Sequence, residues 1–264
     1  MSEREHKEVL IIIPAYNEEK NIGDVLDSLT QAGITEFADI LVVNDASTDA
    51  TNARVKEKGC TLISNVFNMG YGSAIRIGYK WAVRRNYRYV IQMDADGQHD
   101  ICNIPVIYEK LKTKDAEGHY PDIVLGSRFM EGSKAYPVGG LKKIAYRFLN
   151  YVIRKTCGQT ITDPTTGLQG LSSRAFLYYS QYHHFDDRYP DADMIIQMKL
   201  LGFKLEEIPA VMHERKAGES MHSGLKPILY MIRMCFSVTG VLFRIKVLKQ
   251  DVEMVKDELM ESGD

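Results

Sequence analysis

The amino-acid sequence predicts an α/β fold in which a mostly parallel β-sheet is flanked by helices. Two observations predict it. Continuous apolar runs rich in β-branched residues, such as residues 9–13 and 40–43, indicate strands that are buried on both faces. Amphipathic helical segments with short connections alternate with these runs. Such alternation is typical of a parallel sheet, because each helix packs back onto the strands that it connects.

The composition is that of an ordinary folded protein. The chain has 264 residues, 45% of them hydrophobic and 26% charged, which is sufficient for one large α/β domain or two small ones. The formal net charge of −2 gives no indication of nucleic-acid binding, and the four scattered cysteines are those expected of reduced cytoplasmic thiols. The charged amino terminus does not resemble a signal peptide, and no apolar run approaches the roughly 20 residues of a membrane span. We therefore expect a protein that is soluble or peripheral to a membrane.

The first elements can be assigned in order. Residues 9–13 form the first strand, and an amphipathic helix follows it and ends near Gly33, a residue type that commonly terminates helices. Residues 40–43 form the second strand. Ser47 or Thr48 is then expected to cap the next helix, because hydroxyl side chains accept hydrogen bonds from the free amides of the first helical turn.

Residues 61–64 form a short third strand, and a Gly-rich turn at residues 68–72 opens a long helix predicted over residues 71–84. The turn lacks the third glycine of a dinucleotide-binding fingerprint and the Lys-Ser/Thr pair of a P-loop. We interpret it as a tight turn, so a dehydrogenase is not expected. Further strands are predicted at residues 121–129 and 205–211.

The central strand ends in an Asp-x-Asp turn formed by Asp94 and Asp96. Two carboxylates so close together offer the oxygen ligands that Mg²⁺ or Mn²⁺ prefers, although a solvated acidic turn has the same pattern. His99 follows and is expected to be a surface residue. Polar clusters also follow the first and second strands, at residues 14–18 and at Asp45. Because the carboxyl ends of parallel strands meet at one edge of a sheet, these clusters indicate a nucleotide site.

Four motifs, in order and spacing, resemble those of the family 2 glycosyltransferases, which have a GT-A (Rossmann-like) fold. They are Ile-Pro-Ala-Tyr-Asn-Glu-Glu, Val-Asn-Asp-Ala-Ser-Thr-Asp, Asn-Met-Gly-Tyr-Gly and Met-Asp-Ala-Asp-Gly-Gln, which begin at residues 13, 43, 68 and 93. The similarity is greatest to the polyprenyl-phosphate sugar transferases of the dolichol-phosphate mannose synthase branch. It extends over roughly residues 8–245. The resemblance implies an inverting, metal-dependent hexosyltransferase.

The resemblance also implies a donor site. Its nucleotide-binding residues would be Pro14, Ala15, Tyr16, Glu18, Asp45, Asp94 and Ala95. The metal ligands would be Asp94, Asp96 and Gln98, with Mg²⁺ or Mn²⁺ as the cofactor. A divalent cation would offset the negative charge that builds on a departing nucleoside diphosphate.

The family's catalytic positions correspond to Asp96, Arg128, Asp163 and Arg215. A guanidinium such as that of Arg128 matches the geometry of phosphate oxygens. Asp163 lies in a segment that resembles Asp-x-x-Ser/Thr-Gly-Phe-Arg but has Leu168 and Gln169 at the last two positions. If the acceptor is a lipid phosphate, whose second pKa is about 6, it is already largely a dianion, so Asp163 could orient it without removing a proton.

The acceptor phosphate would be met by a further group of residues: Lys216, Ser220, His222, Asp191 and Asp193. Residues 213–222 resemble the family's Arg-x-x-Gly-x-Ser-Lys loop, but Met221 replaces the lysine that is common in dolichol-phosphate mannose synthases. This departure favours bacterial undecaprenyl-phosphate relatives and a UDP-linked donor.

Three regions are predicted: a glycosyltransferase domain at residues 1–224, an amphipathic helix at residues 225–250 and an acidic tail at residues 251–264. The helix is apolar except for one stripe of polar residues, Lys226, Tyr230, Arg233, Ser237 and Arg244. Such a helix either lies on a membrane surface or packs against protein. A basic stretch at residues 139–157 could likewise face anionic lipid headgroups or solvent.

We therefore expect a peripheral enzyme at the cytoplasmic face of the membrane that contributes to cell-wall polysaccharide synthesis. It would transfer a sugar from UDP-GlcNAc or UDP-glucose to undecaprenyl phosphate, alone, as a homo-oligomer or with a small integral-membrane partner. The alternatives are a transferase that uses GDP-mannose and dolichyl or polyprenyl phosphate, and a family 2 enzyme with a glycan hydroxyl acceptor. A non-catalytic membrane-associated scaffold would be a different class, and the intact Asp-x-Asp element argues against it.

Overall fold

The computed structural model describes residues 7–134, 140–181, 184–186, 190, 192–214 and 226–249, with side chains except at 140–146 and 226–233. The described residues fall into two compact units that are interleaved in sequence. The first comes from Met1–Pro137, Thr166–Pro190 and Leu205–Glu219, and the second from Val138–Thr165, Asp191–Lys204 and Ser220–Asp264. The predicted boundary at residues 224 and 225 and the predicted acidic tail lie outside the described residues.

The first unit is built on a seven-stranded sheet. Its strands are β1 (Val9–Ala15), β2 (Ala38–Asn44), β3 (Thr61–Ser64), β4 (Tyr89–Gln92), β5 (Ile123–Ser127), β6 (Gln169–Ser172) and β7 (Leu205–Pro209). Their order is β3-β2-β1-β4-β6-β5-β7, and β6 runs antiparallel to both of its neighbours while the other pairs are parallel. The predicted mostly parallel sheet is confirmed.

Five helices belong to this unit: α1 (Ile22–Gln31), α2 (Thr51–Glu57), α3 (Tyr71–Arg84), α4 (Asn103–Leu111) and, numbered in chain order, α6 (Ser173–Ser180). Every residue of β1 is buried, as its unbroken apolar sequence predicts for a strand between two parallel neighbours. Helix α3 crosses β1 closely, because a Cβ on Gly78 would collide with the side chain of Ile12. The six strands other than β6 run in one direction, so their carboxyl ends lie at one edge of the sheet.

The expected cap of the second helix is wrong. Helix α2 begins only at Thr51, and no side chain caps it. The Oγ of Ser47 instead accepts a hydrogen bond from the backbone N–H of Asn17 (2.9 Å), and the N–H of Thr48 donates to the Oδ1 of Asn17 (2.8 Å). The hydroxyl residues therefore join the loops after β1 and β2 and do not cap the helix.

The second unit contains α5 (Gly140–Cys157), α7 (Ala192–Leu200) and α8 (Lys226–Leu242), which continues into a π-helix at Phe243–Val247. Both α5 and α8 pack against α7. Two members of the predicted polar stripe face α7: Ser237 donates a hydrogen bond to Asp193, and Arg244 donates to Gln197. Phe236 and Phe243, which precede these two residues, are 75% and 54% exposed. The buried side of the segment is apolar and consists of Met234, Val238, Val241 and Ile245, with Ser237 and Arg244 at its border.

Candidate active site

The loops after β1 and β2 form one connected structure at the carboxyl edge of the sheet. The N–H of Glu18 donates to the Oγ1 of Thr51 (2.8 Å), and the Oε2 of Glu19 accepts from the N–H of Ala50 (2.9 Å). Ala46 adopts a left-handed conformation with φ of 59°, which is rare for a residue with a Cβ and is found where surrounding structure imposes it. Strain of this kind is common in ligand-binding loops.

The residues predicted to bind the nucleoside lie in these loops or next to them. Pro14 and Ala15 are the last two residues of β1 and are buried. The side chain of Tyr16 follows directly and is 48% exposed. Glu18 is partly buried, and its Oε2 accepts a hydrogen bond from the side chain of Asn21 (2.7 Å). This edge of the sheet thus has the exposed ring of Tyr16 close in sequence to Glu18, whose carboxylate is held by a hydrogen bond.

Asp45 organises the Gly-rich turn. It is 3% exposed, its backbone N–H donates to the carbonyl of Ala15 (2.9 Å), and its Oδ1 accepts from the side chain of Asn65 (2.8 Å) and the N–H of Met69 (2.9 Å). Its Oδ2 accepts from the N–H of Gly70 (2.8 Å), whose φ of 97° suits glycine. Carboxylate oxygens can accept several hydrogen bonds each, so this structural role is compatible with the predicted bond to the base edge.

Asp94 is the first carboxylate of the Asp-x-Asp turn, with a side chain 32% exposed. Its Oδ1 accepts from the hydroxyl of Tyr71 (2.8 Å), and its Oδ2 lies 3.1 Å from the Nε2 of His99. Burial alone would raise the pKa of Asp94, but hydrogen bonds from His99 and Tyr71 and the positive charge of Arg128 lower it below its usual value. The carboxylate is therefore ionised at neutral pH.

The donor set fits a divalent cation. The Oδ1 of Asp96 accepts from the N–H of Gln98 (3.0 Å), so this turn brings the second carboxylate and the amide residue together, with Ala95 buried between the two aspartates. Gln98 is also paired with His213 through its backbone carbonyl (2.8 Å). Two carboxylates, one held ionised, and one amide are oxygen ligands of the type that Mg²⁺ and Mn²⁺ bind.

A second cluster lies elsewhere in the first unit. Asp115, Glu117 and His119 have potential ligand atoms within 4.8 Å of one another. They occupy the loop between α4 and β5, at the edge of the sheet opposite to the carboxyl ends of the parallel strands. The Oδ1 of Asp115 accepts from the N–H groups of Glu117 and His119 (2.9 Å each), so this carboxylate shapes the turn.

Arg128 follows β5 directly, and its charge acts on Asp94. The neighbouring turn at the start of β6 is fixed by Thr166, whose hydroxyl donates to the carbonyl of Gly126 (2.7 Å). Leu168 fills the space that Gly126 leaves, because a Cβ there would lie 2.7 Å from the Leu168 side chain. The structure therefore brings Arg128 and this turn to the Asp-x-Asp element, while Leu168 serves in the core.

The residues predicted for the acceptor are placed only in part. In the second unit, Asp163 is fully buried and accepts a hydrogen bond from the hydroxyl of Thr165 (3.5 Å). Asp193 is buried near the start of α7, where its Oδ1 accepts from the N–H of Met194 (2.9 Å). Five predicted residues lie outside the described residues: Asp191, Arg215, Lys216, Ser220 and His222.

The expectation that His99 lies on the surface is wrong, since it is 4% exposed. An antiparallel bridge with Met212 turns its ring inward, and the partner is distant in sequence, so no local pattern indicates it. Tyr71 also contacts the site, through its hydroxyl on Asp94. Its position as the first residue of α3, beside Gly70, was the available indication that it faces the site.

This fold and site define an α/β glycosyltransferase. The chain belongs to glycosyl transferase family 2, whose model matches residues 10–177. It is 29% identical to an undecaprenyl-phosphate mannosyltransferase of Micrococcus luteus, over 82% of this chain and 88% of that protein. It is 26% identical to a dolichyl-phosphate beta-glucosyltransferase of Trichomonas vaginalis, over 81% and 68%.

Among solved structures, glucosyl-3-phosphoglycerate synthase from Mycobacterium tuberculosis, in complex with Mn²⁺, UDP and phosphoglyceric acid, has a similar fold. The TM-score is 0.64 at 19% identity, over 89% of this chain and 77% of that one. The predicted family, GT-A fold and enzyme class are thus confirmed. In the part of the chain that is described, every helix is too short or too polar to cross a bilayer.

Proposed function

We propose that the protein transfers a sugar from a nucleotide sugar to the phosphate of a polyprenyl phosphate, with inversion at the anomeric carbon. The main observation in support of this proposal is the ionised Asp94 near Arg128. Both lie at the edge of the sheet where the loops after β1 and β2 begin. The names of the bacterial and eukaryotic relatives support a lipid phosphate as the acceptor, since both act on a polyprenyl-type phosphate.

Different residues of the site are proposed to bind the metal, the nucleobase, the phosphates and the acceptor. Asp94, Asp96 and Gln98 would hold Mg²⁺ or Mn²⁺, which offsets the charge on the departing diphosphate. The exposed ring of Tyr16 would lie against the nucleobase, and Arg128 would neutralise phosphate oxygens. Arg215, Lys216, Ser220, His222, Asp191 and Asp193 are proposed on the acceptor side.

Asp163 is proposed to orient the acceptor. A phosphate monoester with a second pKa of about 6 is already a competent nucleophile at neutral pH. Removal of a proton by a strong base is therefore unnecessary, whereas a sugar hydroxyl would need one. The role of Asp163 thus distinguishes the two acceptor classes.

For the donor we propose a UDP-linked sugar, UDP-GlcNAc or UDP-glucose. The similar fold of an enzyme crystallised with Mn²⁺ and UDP supports it. GDP-mannose is the second candidate, because the relative from Micrococcus luteus is named for mannosyl transfer. Both nucleotides can be tested in one titration series.

Calorimetric titration with UDP and GDP, in Mn²⁺ and in chelator, tests the donor site. We expect one nucleotide to bind in Mn²⁺ and to lose most of its affinity in chelator. Asp96→Ala should abolish this metal dependence, since it removes a ligand. Asp27→Ala, which removes an exposed carboxylate on α1, is the matched control and should bind like the parent. Affinity that is equal in Mn²⁺ and chelator would contradict a metal-dependent site.

Transfer of labelled sugar to undecaprenyl phosphate tests the acceptor, with extraction of the lipid product as the measurement. Asp163→Asn keeps the shape of the side chain and removes its basicity. We expect it to slow transfer without abolishing it, because the acceptor phosphate is already ionised. Complete loss of transfer in this variant, with nucleotide affinity unchanged, would contradict the orienting role of Asp163, and a parent that binds the nucleotide but forms no lipid product would contradict the lipid-phosphate acceptor.

The protein is proposed to act at the cytoplasmic face of a membrane, which it would contact through the second unit. Exposed basic and aromatic residues share one face of α5: Arg147, Phe148, Tyr151, Arg154 and Lys155. Cationic and aromatic side chains on one helical face are typical of segments that lie in the headgroup region of anionic membranes. The exposed Phe236 and Phe243 extend the apolar surface of this unit.

A further inference from the structure

The carboxylate of Asp94 is held by groups from three separate segments. The hydroxyl of Tyr71 donates to Oδ1 (2.8 Å), and the Nε2 of His99 lies 3.1 Å from Oδ2. The backbone of Gly167 closes a third side, since a Cβ built there would lie 2.8 Å from Oδ1. We propose that Tyr71 and His99 are positioning residues that fix the orientation of Asp94 toward the metal–nucleotide complex. This inference rests on the proposed function.

Tyr71 connects Asp94 to the nucleoside side of the site. It is the first residue of α3, directly after Gly70, whose N–H donates to Asp45 (2.8 Å). The start of α3 is therefore tied to Asp45 through its backbone and to Asp94 through a side chain. The hydroxyl of Tyr71 thus links the Gly-rich turn to the Asp-x-Asp element.

The contact of His99 with Asp94 is not explained by a contribution of His99 to folding stability. Its ring is buried, Nε2 faces Asp94, and Nδ1 has no hydrogen-bond partner in the described part of the chain. Because an ionised carboxylate can only accept, Nε2 must carry the proton in this contact. A buried polar atom without a partner costs free energy, so an apolar side chain would fill this space at lower cost. The benefit of the imidazole is the hydrogen bond to Asp94.

The geometry restricts the carboxylate strongly. Two donors engage different oxygens, and Gly167 leaves no room for a Cβ beside the carboxylate. Groups that orient a metal ligand in this way commonly change metal affinity by about 10–100-fold when they are removed. Loss of either donor should therefore weaken metal-dependent binding and leave metal-independent binding unchanged.

Three variants test the inference by calorimetric titration with UDP or GDP, whichever the parent binds, in Mn²⁺ and in chelator. Tyr71→Phe removes only the hydroxyl, and His99→Leu removes the ring donor. Both should bind the nucleotide about 10-fold more weakly in Mn²⁺ and equally in chelator. His99→Gln places an amide N–H near the position of Nε2 and should recover most of the affinity.

Tyr87→Phe is the matched control. Its hydroxyl also donates to an aspartate, Asp39, at 2.8 Å, but near the start of β2 and thus at the opposite edge of the sheet. It should leave affinity in Mn²⁺ unchanged, whereas melting temperatures report any general loss of structure. If His99→Leu does not fold, Tyr71→Phe and His99→Gln still decide the question.

Parent-like affinity of Tyr71→Phe and His99→Leu in Mn²⁺ would overturn the inference while leaving the proposed function intact. An equal loss in Tyr87→Phe, or an equal loss in chelator, would also overturn it, because the effect would then be structural. A parent that binds neither UDP nor GDP in Mn²⁺ would overturn the proposed function and this inference with it.

Discussion

The buried carboxylate of Asp45 stabilises the Gly-rich turn, in addition to its predicted role in ligand binding. Three donors from residues 65–70 converge on its two oxygens. Asp45→Asn would place an N–H group where at least one of these donors now points. We expect a loss of about 1–3 kcal/mol in the free energy of unfolding, because a buried donor is left without an acceptor.

Urea unfolding followed by circular dichroism measures this loss, and Asp24→Asn on the exposed face of α1 is its control. Nucleotide affinity should fall together with stability, since the same turn borders the site. A variant with unchanged unfolding free energy would show that the turn holds its shape without the carboxylate.

At the scale of elements, the feature to test is the pair of exposed phenylalanines, Phe236 in α8 and Phe243 in the following π-helix. Phe236→Ser combined with Phe243→Ser removes two exposed rings and leaves the inward contacts of Ser237 and Arg244 in place. We expect flotation with anionic vesicles to weaken by about tenfold or more, since partial burial of two rings exceeds 1.4 kcal/mol.

Val106→Ser combined with Leu177→Ser removes comparable exposed apolar side chains from α4 and α6 and should float like the parent. Unchanged flotation of the Phe236 and Phe243 variant would argue against lipid contact at this face. A simultaneous change of its oligomeric state in size-exclusion chromatography would assign the face to a second copy of the chain.

The elements also show what the sequence could and could not predict. Strand β3 and helix α3 have the predicted bounds, because a β-branched run and a glycine-bounded amphipathic segment are local patterns. Strand β6 was not predicted. Its sequence Gln-Gly-Leu-Ser has no β-branched residue, and it is a strand only because β4 and β5 pair with it on both sides.

At the scale of the whole molecule, the order of the motifs was sufficient to predict that they share an edge. Parallel topology fixes that convergence regardless of loop detail. The contacts that complete the site were not predictable in this way. His99 is buried by pairing with Met212, and Gly167 meets Asp94 across the sheet. The division into two units was equally inaccessible, since each unit is assembled from three separated stretches of sequence.

The position of β6 has a consequence for biosynthesis. Strands β1 to β4 can pair as soon as they leave the ribosome, but β5 cannot join them, because β6 lies between β4 and β5 and is made later. Until then β4 is an open edge, the kind of edge that recruits strands of other chains. Asp94 follows this strand directly and acquires its Gly167 neighbour only when β6 is inserted. The last pairing in the centre of the sheet therefore both covers the open edge of β4 and completes the surroundings of Asp94.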